Sequence, residues 1–573
     1  MHSVFRRSLS FAIVLSALFL LAPAVPRVAA QGGEPLSFAI RGATIVPVSS
    51  PRIENGTVIV SHGLITAVGK DVTFPQETWI IDGKGLTVYP GLFDSFTDIG
   101  LVASAPSTGG ESAGRSQQGQ PQPQSQATSR GPEDRPGAMP WRDAAGEATL
   151  NDKRVETWRD SGFTTVVSAH KGGIFPGQGA VLVLGGQRNG DMVVKSPVAI
   201  PVSLQPLGNF TSFPGSLMGT LGYVHQVWLD VDWSTKAETI YDKNPRGVAR
   251  PRYDRTNSAL ADALEDHALV LIPANNTVQI RRSFELVDRW HVTAAIYGGQ
   301  MSYEVADEIA AKKLPVLVDL KWPEADKDAD PDEVPALRTL RLRDRAPSSP
   351  AALAKTGVRF AFYSGGITAP KDILKAAKKS IDAGLASDAA LRALTLSPAE
   401  IFGVADRLGS IENGKIANLI IADGDLFDEK TKIKYVFVDG HRFTIHEPEK
   451  PKDPPKGDLN GKWKLSYTTP EGAEESTADL TMARDGSLSG TVSSKRGTQN
   501  ILSGSLSADK FTFTINVVLD DGPADAVFTG TFDGTTMKGN IHVVGIDIEF
   551  TGVKAPTRSI ATEASTNSQG IAR

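Results

Sequence analysis

The stretch Val88-Tyr-Pro-Gly-Leu-Phe-Asp-Ser-Phe-Thr-Asp98 separates two kinds of sequence pattern. Upstream of it, short β-branched runs at Ala43–Val48, Gly56–Val60 and Leu64–Val68 are divided by Glu54-Asn55-Gly56 and Ser61-His62-Gly63. Such runs, broken by turn residues, predict hairpins and hence a small β-sheet domain. Downstream of it, buried-looking strands alternate with amphipathic stretches. The strands are expected at Phe163–Val167, Gln226–Leu229, Leu269–Ile272, Val292–Ile296, Pro315–Val318 and Val358–Phe362. Helical spacing marks Ser283–Trp290, Tyr303–Lys312, Pro370–Gly384 and Asp388–Phe402. Alternation of this kind predicts a parallel α/β barrel rather than a sandwich.

After Leu408 the pattern returns to β at Gly409–Lys415, Ala417–Ala422 and Ile433–Val438. The expected fold class is therefore α/β. A TIM-like (β/α)8 barrel at 89–404 interrupts a split β-sandwich formed by 37–88 and 405–445, since chain ends of a domain usually lie close together. A Pro/Lys/Asp linker at 446–456 leads to a separate antiparallel β domain at 457–556, with turns at Asp485-Gly486, Asp521-Gly522 and Asp533-Gly534. Trp463, Tyr467, Phe511 and Phe513 of that domain read as core aromatics. The tail at 557–573 is polar and expected to be disordered.

Residues 1–30 read as a signal peptide: Arg6-Arg7, an apolar run Phe11–Leu21, then Val28-Ala29-Ala30 before Gln31. The arginine pair leaves twin-arginine export open beside the general route. A periplasmic or secreted location follows, with no membrane span after cleavage. Residues 104–140 are rich in Gly, Ser, Gln and Pro, which predicts a mobile loop or a flap over a pocket. With no cysteine, disulfides, thiolate metal sites and cysteine nucleophiles are excluded. A net charge of -5 carries no nucleic-acid footprint.

Several segments resemble the amidohydrolase superfamily, most closely its imidazolonepropionase-like branch. They are Gly56–Val60, Ile65–Gly69, Val88–Asp94, Lys171–Val181 and Gly409–Ile421. The resemblance covers roughly residues 37 to 445. It implies hydrolysis of non-peptide C–N bonds by one or two divalent metals, which make a bound water a nucleophile near neutral pH. In that pattern Pro-Gly-x-x-Asp is followed by His-x-His. Here Phe96 and Asp98 stand at the two histidine positions. Pro273 stands where the strand-five histidine is expected, Tyr297 near the strand-six histidine, and Gly365 near the strand-eight aspartate. No lysine suited to carboxylation occurs in Gln226–Leu229. Without imidazole donors no cofactor is expected, and zinc or another divalent metal fits only a ligand set unlike the family's.

The remaining candidates are carboxylates, one histidine and one serine. Asp94 suits a hydrogen-bonding role at the end of strand one, and Asp98 a solvated loop carboxylate or lone metal ligand. His170 and Lys171 follow strand two; Asp319 and Lys321 end strand seven; Tyr363 and Ser364 end strand eight. All face the functional end of a barrel. A Ser364–His170–carboxylate arrangement with Asp94 or Asp319 is conceivable, although no Gly-x-Ser-x-Gly elbow accompanies it. His225, His267 and His291 stand singly near expected strand starts. Two functions follow. One is an exported amidohydrolase-type hydrolase with lost or altered activity. The other is a non-catalytic pseudoenzyme that binds a small ligand or partners an intact amidohydrolase paralogue.

Overall fold

A computed structural model of the chain describes residues 37–70, 72–73, 78–101, 135–207, 213–325, 334–445, 453–469, 472–495, 497–519, 522–543 and 546–555. The expected signal peptide, residues 104–134 of the insertion, residues 446–452 of the linker and the 557–573 tail lie outside these residues. Leu36–Ile445 form one compact unit, and the β domain that follows belongs to a second.

The first unit begins with β1 (Ser37–Ile45), β2 (Ile53–Ser61), β3 (Leu64–Gly69), β4 (Trp79–Asp82) and β5 (Thr87–Pro90). His62 and Gly63 take φ of 52° and 79° and turn the chain between β2 and β3, as a two-residue hairpin requires. Asn55-Gly56 makes no hairpin turn. Asn55 sits at φ 52° inside β2, where the pairing with β1 shifts register.

The barrel strands are β6 (Leu92–Thr97), β7 (Phe163–Ser168), β8 (Gly179–Val183), β9 (Val193–Pro201), β10 (Leu269–Ala274), β11 (Ala294–Gly298), β12 (Val316–Asp319) and β13 (Phe360–Tyr363). They form one sheet in chain order. Seven are parallel, but β8 pairs antiparallel with both β7 and β9. One helix-linked unit of the expected eightfold repeat is thus replaced by a hairpin arm. The sheet's ends, β6 and β13, are tied by side chains: Ser95 Oγ donates to the Phe362 carbonyl at 2.7 Å.

Gln226–Leu229 is not a strand. It lies within the helix Leu217–Lys243, whose buried Val224, Val227, Trp228 and Val231 follow helical spacing. Four apolar-rich residues are too few to choose between periods 2 and 3.6. The lysine position sought there therefore has no strand to occupy, and β9 takes the strand's place. Residues 135–140 of the insertion are packed rather than loose. Arg135 pairs with Asp230 at 2.8 Å and Asp254 at 3.1 Å, and the Met139 amide donates to the Phe175 carbonyl at 2.7 Å.

β14 (Leu419–Ala422), β15 (Ile433–Val438) and β16 (His441–Thr444) then return to the first strands, giving the order β16-β15-β14-β5-β1-β2-β3 with β4 beside β1. The strands expected to form a sandwich are hydrogen-bonded as one continuous mixed sheet. Tyr89 on β5 faces Ile420 on β14, and the Phe38 and Phe437 rings stack at 4.6 Å between centroids. Val183 of β8 packs against Val436 and Val438 of β15. Gly409–Lys415 is a turn, not a strand: Gly409 and Gly414 adopt φ of 92° and 88°, which breaks a ladder.

The second unit is a closed barrel of consecutive antiparallel strands: β17 (Gly461–Thr469), β18 (Gly472–Met482), β19 (Leu488–Ser494), β20 (Gly497–Ser507), β21 (Lys510–Leu519), β22 (Gly522–Phe532), β23 (Thr536–Val543) and β24 (Ile546–Lys554). Closure removes the exposed edges that an open sheet would present. Trp463, Phe511 and Phe513 are buried and Tyr467 is partly so. The Phe513 and Phe528 rings stack across neighbouring strands at 4.6 Å. Among the described residues no helix is long and apolar enough to cross a membrane.

Candidate functional site at the barrel mouth

The ends of β6, β12 and β13, with the helix Lys153–Asp160, enclose a cavity of about 370 Å³. It lies at the C-terminal ends of parallel strands, the usual place for a site in a barrel. Asp319, Ser364 and Asp98 line it, together with Phe96 and Tyr363.

Asp94 lies just behind, 1% exposed. Its Oδ1 accepts the Ser364 amide at 3.0 Å and its Oδ2 accepts Trp158 Nε1 at 3.4 Å. Burial pushes the Asp94 carboxyl up to about 6, against the opposing bonds from Ser364 and Trp158. Asp319 is partly exposed on β12, and its Oδ1 accepts the Lys321 amide at 2.7 Å. Burial pushes it too up to about 6, opposed by bonds from Lys321 and Tyr363 and helped by the charge of Asp94. Gly365 has to be glycine here. Its φ is 58°, and a Cβ would come 1.6 Å from Asp319 Oδ1.

Above this floor runs a ladder of charges. Asp98 Oδ1 accepts Lys171 Nζ at 2.9 Å and lies 3.3 Å from Arg154 Nη1. Arg154 also reaches Asp152, whose Oδ2 takes the Gly100 amide at 2.9 Å. Burial alone would raise Asp98, but the bond and charge of Lys171, with those of Arg154, hold it below the usual carboxylate range.

Phe96, Tyr297 and Tyr363 form a ring cluster. Centroid separations are 5.0 Å for Phe96–Tyr297, 5.9 Å for Phe96–Tyr363 and 6.5 Å for Tyr297–Tyr363. Tyr297 is in register with Pro273 on β10, and its hydroxyl donates to the Val202 carbonyl at 3.2 Å. Burial pushes that hydroxyl up to about 12.

His170 belongs to a different cluster. It is 3% exposed, and its Nε2 makes no hydrogen bond, standing 3.5 Å from Glu147 Oε1. Arg142 grips that same carboxylate with two bonds, of 3.0 and 2.6 Å. Burial and the Arg142 charge hold His170 below its ordinary pKa. Asp94, Asp319, Tyr363 and Ser364 are thus brought together, while His170 does not join them and no Ser–His–carboxylate triad assembles. His267 and His291 sit at φ of 61° and 53° beside the ends of the helices Arg255–Glu265 and Thr277–Trp290, and His225 lies within the helix Leu217–Lys243. Trp158 and Arg154 are new to the site. Their helix, Lys153–Asp160, is not among the helical stretches expected from the sequence, and its contact with Asp94 and Asp98 is not expected there either.

Several side chains at this mouth are already committed to other partners. Phe96 has no lone pair to give, Asp98 is committed to Lys171 and Arg154, and both Asp94 oxygens already accept hydrogen bonds. Among the described residues, no three His, Cys, Asp or Glu converge where one ion could bind them.

Residues 300–443 match the amidohydrolase family. An amidohydrolase from Thermotoga maritima is 22% identical and covers 71% of this chain and 100% of its own, with a TM-score of 0.57. That likeness shows the fold. A prolidase crystallised with N-methylphosphonate-L-proline is 18% identical over 71% of this chain and 99% of its own, with a TM-score of 0.44. No curated protein matches the chain. The resemblance to the amidohydrolase superfamily therefore stands on the family match and on the fold.

Proposed function

We propose that this chain is an exported amidohydrolase-type protein whose barrel mouth works without a divalent metal, so that the inherited hydrolysis of non-peptide C–N bonds is lost or altered. The observation that carries the reading is the Phe96–Tyr297–Tyr363 cluster. Phe96 stands at one position, and Tyr297 near another, at which the resemblance calls for metal-binding side chains. A metal mechanism needs ligands that fix the ion and leave it an open position for water; aromatic carbon supplies neither.

The test is elemental analysis of the purified chain, alongside a panel of cyclic amides and dipeptides. The expected result is less than stoichiometric zinc, manganese or iron, and no hydrolysis that a chelator abolishes. One tightly held ion per chain with chelator-sensitive turnover would refute the reading. The cavity favours a second, related role, a non-catalytic ligand site, because about 370 Å³ lies within the range of small-molecule pockets.

A further inference from the structure

Charge is unevenly distributed around the mouth. On one side Lys171 and Arg154 are matched by Asp98 and Asp152, two cations against two anions within hydrogen-bonding reach. An anionic ligand would gain those cations only by breaking bonds that already exist. On the other side Asp319 is partly exposed and takes part in no ion pair among the described residues. Its Oδ1 accepts the Lys321 amide, so this part of the floor is short of positive charge.

The floor also has the walls a cation needs. Phe96 and Tyr363 line the same cavity as Asp319, with ring centroids 5.9 Å apart. Asp319 and Tyr363 are register partners on neighbouring strands, so carboxylate and ring are held by backbone pairing. A cation near aromatic rings gains from their quadrupoles, most strongly where water is excluded. An inorganic ion would need several oxygens, and of the two carboxylates lining the cavity Asp98 is already paired with Lys171 and Arg154. An alkylammonium needs only one, and its carbon substituents suit the rings and Ile367.

We propose that this cavity binds a small organic ammonium ion, its charged head against Asp319 and its carbons against Phe96 and Tyr363. The proposal rests on the reading of the mouth as a metal-free ligand site, and names the class of ligand. It is tested by calorimetric titration of the mature full-length chain with benzylamine, tetramethylammonium, benzyl alcohol and benzoate. Benzylamine is expected to bind at least about tenfold more tightly than benzyl alcohol, as one charge-assisted contact implies. Asp319→Asn should abolish that preference, and Phe96→Leu should weaken amine binding about fivefold. Should Asp319→Asn not fold, the Phe96→Leu result decides.

Equal binding of the amine and the alcohol, tighter binding of benzoate, unchanged affinity in Phe96→Leu, or no binding of either amine overturns the proposal. Binding of the alcohol or benzoate as tightly as the amine, or more tightly, would remove the ammonium class while leaving a metal-free ligand site. A stoichiometric metal ion would instead remove the reading on which the class depends.

Discussion

The amide of Ser364 donates to Oδ1 of Asp94 across 3.0 Å, joining the end of the last barrel strand to the first. Ser95 makes a second tie to Phe362, so the seam depends on a few side-chain hydrogen bonds. Replacing Asp94 by alanine leaves the Ser364 amide and Trp158 Nε1 buried without their acceptor. The expected loss is about 2–4 kcal/mol, measured by urea unfolding.

The same carboxyl makes stability depend on pH. Asp94 is raised from 3.8 to about 6 in the folded chain, so between these values the native state holds the proton more tightly than the unfolded one. Its contribution is most favourable below about pH 4 and is lost as pH rises through 6. Asp94→Asn cannot titrate. Its stability relative to the parent should therefore improve by roughly 1–3 kcal/mol from pH 4 to pH 7. Parallel denaturation curves with a constant difference across that window would contradict this.

Gly365→Ala should be among the most damaging single changes near the mouth. The added methyl meets Asp319 Oδ1 at 1.6 Å in a backbone conformation of φ 58°. Positive φ and overpacking together suggest a loss of about 2–4 kcal/mol, seen as a lower melting temperature.

Lys171→Ala should behave differently. Lys171 is 61% exposed in its pair with Asp98, and exposed pairs contribute little. Its removal should change stability by less than about 1 kcal/mol. The Asp98 carboxyl should titrate at higher pH, observable by carbon NMR.

The C-terminal barrel has a core of its own around Trp463, Phe513 and Phe528. Residues 453–555 expressed alone should unfold in one cooperative transition. Phe528→Ala should cost that fragment about 3–5 kcal/mol, by chemical denaturation.

Much of the barrel was legible because β10 to β13 are short apolar runs flanked by helical periodicity, a pattern that specifies both element and order. Gln226–Leu229 misled because Val227 and Trp228 suit a strand as well as a buried helix face. The arm β8 was hidden in a glycine-rich stretch that marks no period. At the mouth, Asp319, Tyr363 and Ser364 could be placed from their positions at strand ends. The side-chain direction of His170 could not, because Glu147 and Arg142, which surround it, come from a segment without regular periodicity.

Val183 of the barrel packs on Val436 and Val438, and the Tyr89 hydroxyl bonds to Gly424 across 335 positions of chain. A ribosome that has released every barrel strand has therefore still not delivered the cover for one flank. Until β15 emerges, that apolar surface faces water or a chaperone. Completion comes late in synthesis, and a nascent chain that ends before Leu419 lacks both the Gly424 partner of Tyr89 and the valines that cover Val183.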